Sequence, residues 1–595
     1  MTTKQNTPEM EDLFKDLAQA GQCVAQTFLN NMPNLIHSYK DISKAWLTLG
    51  SSIVSNPNEE YKIQQAYFDF YKKQIEMWQQ ISQHIQEDKK NILPNGDKRF
   101  KATEWNEYPY YFYIIHQSYL MASQLVTNII EKIDIDETTK NKLLFYTRLF
   151  VDALSPSNFF LTNPEAIKLA QQSGGESLRK GFQNLIDDMK KGRISQTDFS
   201  SFEVGKNLAL TEGSIIFENE LIQLIQYKPL SKKVCEIPLL IIPPWINRFY
   251  ILDLEPHNSF ARFAVEQGFT VFMISWRVPK GEMGKISFDD YAETGAMTAM
   301  EVIREITGVK KVNAIGYCIG GTLLGSVAAV LAAREDKQDK KSRSQENKNY
   351  LNTTTFLATM LDFSDYGALS AVVDLPLVEK LEKEIGGEGI LSGRDMTNAF
   401  NMVRSNDLIW KYVVNNYLKG KDPVPYSILF WTNDNTNMPG KMYTYYLRNF
   451  IIENKLSKKN ALTICGTLVD LGKIINPCYI VGTAEDHISP CHTAFTTTRL
   501  VGGEAEFILG ESGHVAGIVN PPNNGKYGYY SDGEKNKDLT HFRNTAKHHQ
   551  ESWWLHWARW LKKHSGKQII APSKQGNKKH EVIELAPGRY VKEQM

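Results

Sequence analysis

The chain has 595 residues, 42% of them hydrophobic and 11% aromatic, with 68 Lys and Arg against 67 Asp and Glu. That is the composition of an ordinary soluble globular protein of two or more domains, and a net charge of +1 gives no sign of a nucleic-acid partner. No apolar run is long enough for a transmembrane segment, the six scattered cysteines make no disulfide framework and residues 1–15 carry no secretory leader pattern, so a cytoplasmic protein is expected.

Residues 1–205 read as a mainly helical N-terminal domain. Phe14, Leu17, Val24 and Phe28 recur at helical spacing, and Pro33 ends that segment. Residues 60–92 predict a polar helix with interspersed aromatics, broken at Pro94-Asn95-Gly96. An aromatic-dense stretch follows, from Phe100 and Trp105 through Tyr108, Tyr110, Tyr111, Phe112, Tyr113 and Tyr119. It reads chiefly as helix packing, and any exposed part would suit a partner or a hydrophobic surface. Thr162-Asn163-Pro164-Glu165 is a helix-start signal, and Ser173-Gly174-Gly175-Glu176 is a break.

The texture changes at about 206. Strands are predicted at 214–217, 222–227, 238–242, 269–276, 311–316, 355–361 and 475–481, with 506–509 the last of them. Helices at 259–267, 291–306 and 323–333 alternate with these strands, which implies a parallel α/β sheet with its carboxyl strand ends on one edge. Within 206–595 the rhythm lapses from about 334 to 455. That stretch opens with a lysine-rich loop, 334–350, and continues with aromatic helix-like segments at 408–418, 426–431 and 442–452. It reads as an inserted cap that excludes water and gates entry. The tail is helical around Ser552-Trp553-Trp554-Leu555-His556-Trp557.

Within this frame Val312-Asn313-Ala314-Ile315-Gly316-Tyr317-Cys318-Ile319-Gly320-Gly321-Thr322 is a strand, a sharp turn and a helix start. The pattern is that of a nucleophile elbow, with Cys in place of Ser. Gly316 and Gly320 supply the small residues that the strained turn needs on either side of Cys318. Such a fold carries its triad in the order nucleophile, acid, histidine, and Cys318, Asp486 and His514 occur in that order. Each follows a predicted strand in a glycine-bearing loop. His487 is the rival to Asp486 as functional residue. An oxyanion hole needs two backbone N–H donors. Ile319 supplies one. The loop Pro243-Pro244-Trp245-Ile246-Asn247-Arg248 supplies the other, from Trp245 or, preferably, Ile246. His541, His548, His549 and His556 lack a zinc framework, so no metal is expected. The fold class is therefore an α/β-hydrolase-like parallel sheet with an inserted cap, preceded by a mainly helical domain.

Longer motifs add a resemblance. Phe145-Tyr146-Thr147-Arg148, Asp152-Ala153-Leu154-Ser155-Pro156-Ser157-Asn158 and Pro243-Pro244-Trp245-Ile246-Asn247-Arg248-Phe249-Tyr250 are among them. So are Gly316-Tyr317-Cys318-Ile319-Gly320-Gly321-Thr322, Arg404-Ser405-Asn406-Asp407-Leu408-Ile409-Trp410, Asp486-His487-Ile488, Gly513-His514-Val515-Ala516-Gly517 and Ala586-Pro587-Gly588-Arg589-Tyr590-Val591. Together they resemble class I polyhydroxyalkanoate synthases from about Phe100 onward. Departures are Ser489-Pro490-Cys491, where an apolar residue, Pro and Trp are usual, Thr211-Glu212-Gly213 for Thr-Pro-Gly, and the 334–350 insertion.

The resemblance implies a transferase that polymerises (R)-3-hydroxyacyl-CoA, chiefly 3-hydroxybutyryl-CoA, through an acyl group on Cys318. CoA would leave as product and no cofactor would be needed. Asp486 would orient His514 or help activate the 3-hydroxyl, and both roles fit. Arg404 is a candidate for CoA phosphates, with a cap salt bridge as its other reading. The family also implies a homodimer at the surface of a polyester granule, with the N-terminal domain engaged in both. A thioesterase using the same triad is the alternative function.

Overall fold

The computed structural model describes residues 43–336, 350–524 and 526–595, apart from Val54, Asn91 and 93–95. The predicted segment around Phe14 to Phe28, the 94–95 break and most of the 334–350 loop lie outside the described residues. The chain divides into two units. One holds the residues up to Asp198 together with Phe400–Val424; the other holds Phe199–Ala399 and Pro425–Met595. The division falls a few residues before the expected boundary at 205. Phe400–Val424, expected within the cap, clusters with the N-terminal unit instead.

In the first unit, α1 (Pro57–Gln86) starts where Asn56 accepts the Asn58 amide and Pro57 takes the first helical position. It packs on α2 (Tyr111–Lys132), which packs in turn on α3 (Glu137–Ala153). Met77, Ile81, Tyr110, Tyr113 and Met121 form one core, and Ala45, Leu49, Ile130, Ile133 and Leu143 another. The aromatic stretch is thus mostly packing: Phe100, Trp105, Tyr110 and Tyr113 are buried, whereas Tyr108 and Tyr111 are exposed.

Polar bonds tie the segment 400–424 into this unit. The buried Asp152 carboxylate accepts from Ser405 Oγ at 2.5 Å and Asn406 Nδ2 at 2.6 Å. Tyr417 donates to Asp188 at 2.9 Å, and Asn416 donates to Ser195 O at 2.7 Å. Gly181 sits so close to the Tyr417 backbone that a Cβ there would meet its carbonyl oxygen at 2.0 Å. Sequence patterning gives no hint of this placement. The partners are single polar side chains more than 200 residues away in sequence, not an apolar period.

The second unit is built on an eleven-stranded sheet. Its strands are β1 (Gly213–Glu218), β2 (Ile222–Tyr227), β3 (Leu239–Ile242), β4 (Val271–Trp276), β5 (Val312–Tyr317), β6 (Leu351–Leu357), β7 (Cys478–Thr483), β8 (Ala505–Gly510), β9 (Tyr529–Ser531), β10 (Lys547–His549) and β11 (Glu584–Leu585). Their order is β10-β9-β8-β7-β6-β5-β3-β4-β2-β1-β11. The six strands from β8 to β4 in that order are mutually parallel, and antiparallel strands extend both sides. This is an α/β-hydrolase fold with a mainly helical N-terminal region.

Three sequence expectations shift. The strand expected at 355–361 lies at Leu351–Leu357. Its centre is Thr353-Thr354-Thr355, buried threonines whose hydroxyls meet Asn313, Cys478 and Trp557, so β-branching and hydrogen bonding replace an apolar run. The strand expected at 506–509 is not the last: β9, β10 and β11 follow, short and polar enough to escape a pattern search. The helix expected over 291–306 opens as a π-helix, Tyr291–Met297, before continuing as Thr298–Thr307.

Candidate active site

Cys318 stands at the junction of β5 and the helix α4 (Ile319–Asp336). Its φ is +54°, a conformation disfavoured for a side chain with a Cβ. The surroundings hold it there. The Cys318 amide donates to Leu357 O at 2.9 Å, and its carbonyl accepts from Gly321 N at 2.9 Å and Thr322 N at 3.2 Å. The flanking glycines are required by contact. A Cβ at Gly316 would meet Gly321 Cα at 2.4 Å, and one at Gly320 would meet Ile242 O at 2.4 Å and Pro243 O at 2.7 Å. The turn therefore sits directly on the end of β3 and the start of the loop that follows it.

The acid and the histidine arrive from β7 and β8. Asp486 lies three residues past the end of β7 and His514 four past the end of β8, on the edge where Cys318 follows β5. His514 Nδ1 and Asp486 Oδ2 are 2.7 Å apart, and both residues are buried. Asp486 also accepts from the amides of Ile488 at 2.9 Å and Ser489 at 2.8 Å, and from Thr483 Oγ1 at 3.1 Å. Burial works against its ionisation, but His514 and these donors hold its pKa below the ordinary carboxylate value. For His514 burial alone would favour the neutral ring. The Asp486 carboxylate, the Cys318 sulfur and hydrogen bonds to both instead hold the imidazole well above its usual range. The structure thus pairs His514 with Asp486 and sets the Cys318 sulfur near enough to act on the His514 charge. His487, the rival to Asp486, has its backbone carbonyl accepting from Ala368 N at 3.3 Å.

Both predicted amide donors lie on elements that meet at the turn. Ile319 is the first residue of α4, where an amide has no intrahelical acceptor. In the loop after β3 the Trp245 carbonyl accepts from Thr436 Oγ1, and the Ile246 carbonyl accepts from Thr436 N at 3.2 Å. In a planar trans peptide the N–H opposes the C=O. With the Trp245 carbonyl on Thr436, the Ile246 amide of the same peptide is directed away from Thr436. Arg404 is in the other unit, where its exposed guanidinium meets Asp407 at 2.5 Å, the salt-bridge reading of that residue.

Three neighbours escaped the sequence reading. Tyr317 stacks on the His514 ring, with centroids 5.5 Å apart, and its hydroxyl donates to His514 O at 3.2 Å. Thr483 braces Asp486. Tyr446 is buried, and after burial itself the nearby Cys318 raises its phenol pKa furthest. Tyr317 could have been suspected beside the nucleophile. Tyr446 could not, because nothing in its local sequence distinguishes it from the neighbouring aromatics.

Known proteins bear on this geometry. Residues 96–264 match the family model of the poly-beta-hydroxybutyrate polymerase (PhaC) N-terminus, and residues 238–521 match the alpha/beta hydrolase fold. The poly(3-hydroxyalkanoate) polymerase subunit PhaC of Cupriavidus necator is 44% identical over 505 residues, covering 84% of this chain and 83% of that protein. Its Rhizobium meliloti counterpart is 37% identical, covering 95% and 90%. The poly(3-hydroxyalkanoate) polymerase of Methylorubrum extorquens is 39% identical, covering 84% and 81%. With an N-terminal model, a hydrolase model and near full-length relatives all in agreement, the chain belongs to the poly(3-hydroxyalkanoate) polymerase family.

Proposed function

We propose that the protein polymerises (R)-3-hydroxyacyl-CoA into polyester with release of CoA, and that Cys318 carries the acyl group. The observation that carries this is the buried Asp486–His514 pair, with Cys318 close enough to raise His514 and set on a strained turn, in a chain of this family. His514 takes the Cys318 proton as the sulfur attacks the thioester carbonyl. The developing oxyanion is held by the amides of Ile319 and Ile246. The carbon–sulfur bond to CoA breaks, and the CoA thiolate takes up the proton from His514. One thioester replaces another, so the acyl group stays activated. A serine ester would discard that activation, which accounts for Cys in a hydrolase frame.

Chain growth then requires the 3-hydroxyl of another acyl group to attack a thioester carbonyl, forming an oxoester as the carbon–sulfur bond breaks and the departing thiolate takes up the proton. That hydroxyl must lose its proton to a base. We assign this to His514, with Asp486 at 2.7 Å to hold the resulting imidazolium. Substrate and product set the remaining proposals: a homodimer working at the surface of its own polymer. Support for the surface is in the N-terminal unit, where α1 exposes Phe68, Tyr71, Ile75 and Trp78 at three- and four-residue spacing. Among the described residues no helix is long and apolar enough to cross a membrane.

The test is CoA release from (R)-3-hydroxybutyryl-CoA, with turbidity followed alongside and Cys318→Ala as control. Release with growing turbidity, both lost in the variant, is expected. Release into a clear solution with free hydroxy acid would mean a thioesterase and would overturn the proposal.

A further inference from the structure

His514 lies on a loop folded into a single turn. Gly517 N donates to Gly513 O at 2.8 Å, and Val519 N donates to Val515 O at 2.8 Å. The carbonyls at the end of this turn point out of it and find partners on one distant element, the start of the helix Trp553–His564. Trp553 Nε1 donates to Gly517 O at 2.9 Å, Trp554 Nε1 donates to Ile518 O at 2.8 Å, and Ser552 Oγ donates to Asn520 O. Both indoles are fully buried. An indole N–H can only donate, so a buried one is committed to the carbonyl it meets.

The rings are themselves fixed. Phe260 packs against Trp553 and Trp554 with centroids 5.8 and 5.0 Å apart. The turn is fixed against the acid as well. A Cβ at Gly517 would meet Thr483 Cγ2 at 2.5 Å, and the hydroxyl of that threonine donates to Asp486. A displacement of Gly517 would therefore reach both His514, through the turn, and Asp486, through Thr483. The Cys318 chemistry described above uses none of Ser552, Trp553 and Trp554.

We propose that Trp553 and Trp554 are positioning residues for the reaction: their indole N–H groups set the turn that carries His514 and thereby its register against Asp486 and Cys318. This rests on Cys318, His514 and Asp486 being the reacting set. Trp553→Phe and Trp554→Phe keep an aromatic ring and remove the donor. In each variant kcat for CoA release should fall about tenfold, short of the roughly hundredfold that a full 1 Å misplacement costs, with KM within twofold of the parent. A second readout is iodoacetamide alkylation of Cys318 followed against pH. A loosened His514–Asp486 contact stabilises the imidazolium less, so the acid limb of alkylation should move upward by about half a unit.

Trp560→Phe, in the same helix but packed at a tilt against Tyr479 and His564, is the control and should leave that limb in place. If either indole variant does not fold, Ser552→Ala removes the third donor with less volume change, and the same upward move is expected. Folded variants with a parental alkylation profile and parental kcat overturn the proposal. A His514→Ala variant separates the two levels: if it leaves the alkylation profile unmoved, the triad reading fails before the positioning reading is reached.

Discussion

Gly320→Ala tests whether the turn bearing Cys318 and the oxyanion loop are one rigid assembly. The added methyl would meet Ile242 O at 2.4 Å and Pro243 O at 2.7 Å, and both are backbone atoms that no rotamer change can move. Ordinary contact begins at 3.4 Å, so the turn and the loop after β3 must separate by about 1 Å. The two proposed amide donors sit on opposite sides of that gap, Ile319 on the turn and Ile246 on the loop. A separation of this size costs about a hundredfold in rate, on the scale of losing one oxyanion donor. Overpacking adds about 1–3 kcal/mol of destabilisation. The assay is single-turnover CoA release, with Tm measured on the same sample. Gly325→Ala is the contrast. It lies further along α4, and its Cβ would meet Leu361 Cδ2 at 2.6 Å, a side-chain end that can turn away. It should lower Tm with little effect on rate. A Gly320→Ala protein that acylates at the parental rate would refute the two-sided oxyanion hole.

Asp486→Asn removes the carboxylate that most raises His514, so the acid limb of Cys318 alkylation should move to higher pH. The sign for stability follows from the two shifts. The raised His514 stabilises fully below the ordinary histidine pKa of about 6.5 and loses this as pH rises through its folded value. The lowered Asp486 stabilises above about 3.9 and loses this as pH falls through its folded value. The Tm gap between parent and variant should thus be widest between about pH 4 and 6.5; a gap that widens on the alkaline side contradicts the pairing. Tyr317→Phe deletes the hydroxyl on the His514 carbonyl and should cost about 1 kcal/mol in denaturant unfolding, with the stacked ring retained. Asp152→Ala strands the buried Ser405 hydroxyl and the half-buried Asn406 amide and should cost about 3 kcal/mol, read as faster amide exchange across residues 400–424.

The catalytic unit was largely legible from sequence because its sheet obeys a local rule. β3, β4 and β5 are buried on both faces, so they read as apolar runs, and the glycines flanking Cys318 mark a turn that only small residues allow. Asp486 and His514 were legible for the same reason: each follows such a strand. The strand β6 misled by four residues because its buried centre is threonine. The edge strands β9, β10 and β11 were missed because strands of two or three residues hold no periodicity. Trp553 and Trp554 were visible as residues and not as bonds, since their acceptors lie 36 positions earlier in the chain.

The least legible feature has the widest consequence. The chain leaves the catalytic unit after Ala399 and returns at Pro425, and the residues between belong with the helices that precede the sheet. Arg148 donates to Val403 O at 2.9 Å, Lys419 meets Glu165 at 2.6 Å, and Lys180 meets Asp422 at 2.6 Å. The exposed Lys180–Asp422 pair contributes little, but buried Asp152 and Asp188 have their acceptors answered by Ser405, Asn406 and Tyr417. The N-terminal region is therefore not an appendage fused to a complete hydrolase. It includes a piece of what the sequence places in the cap, and removing it would leave that piece without the partners that order it.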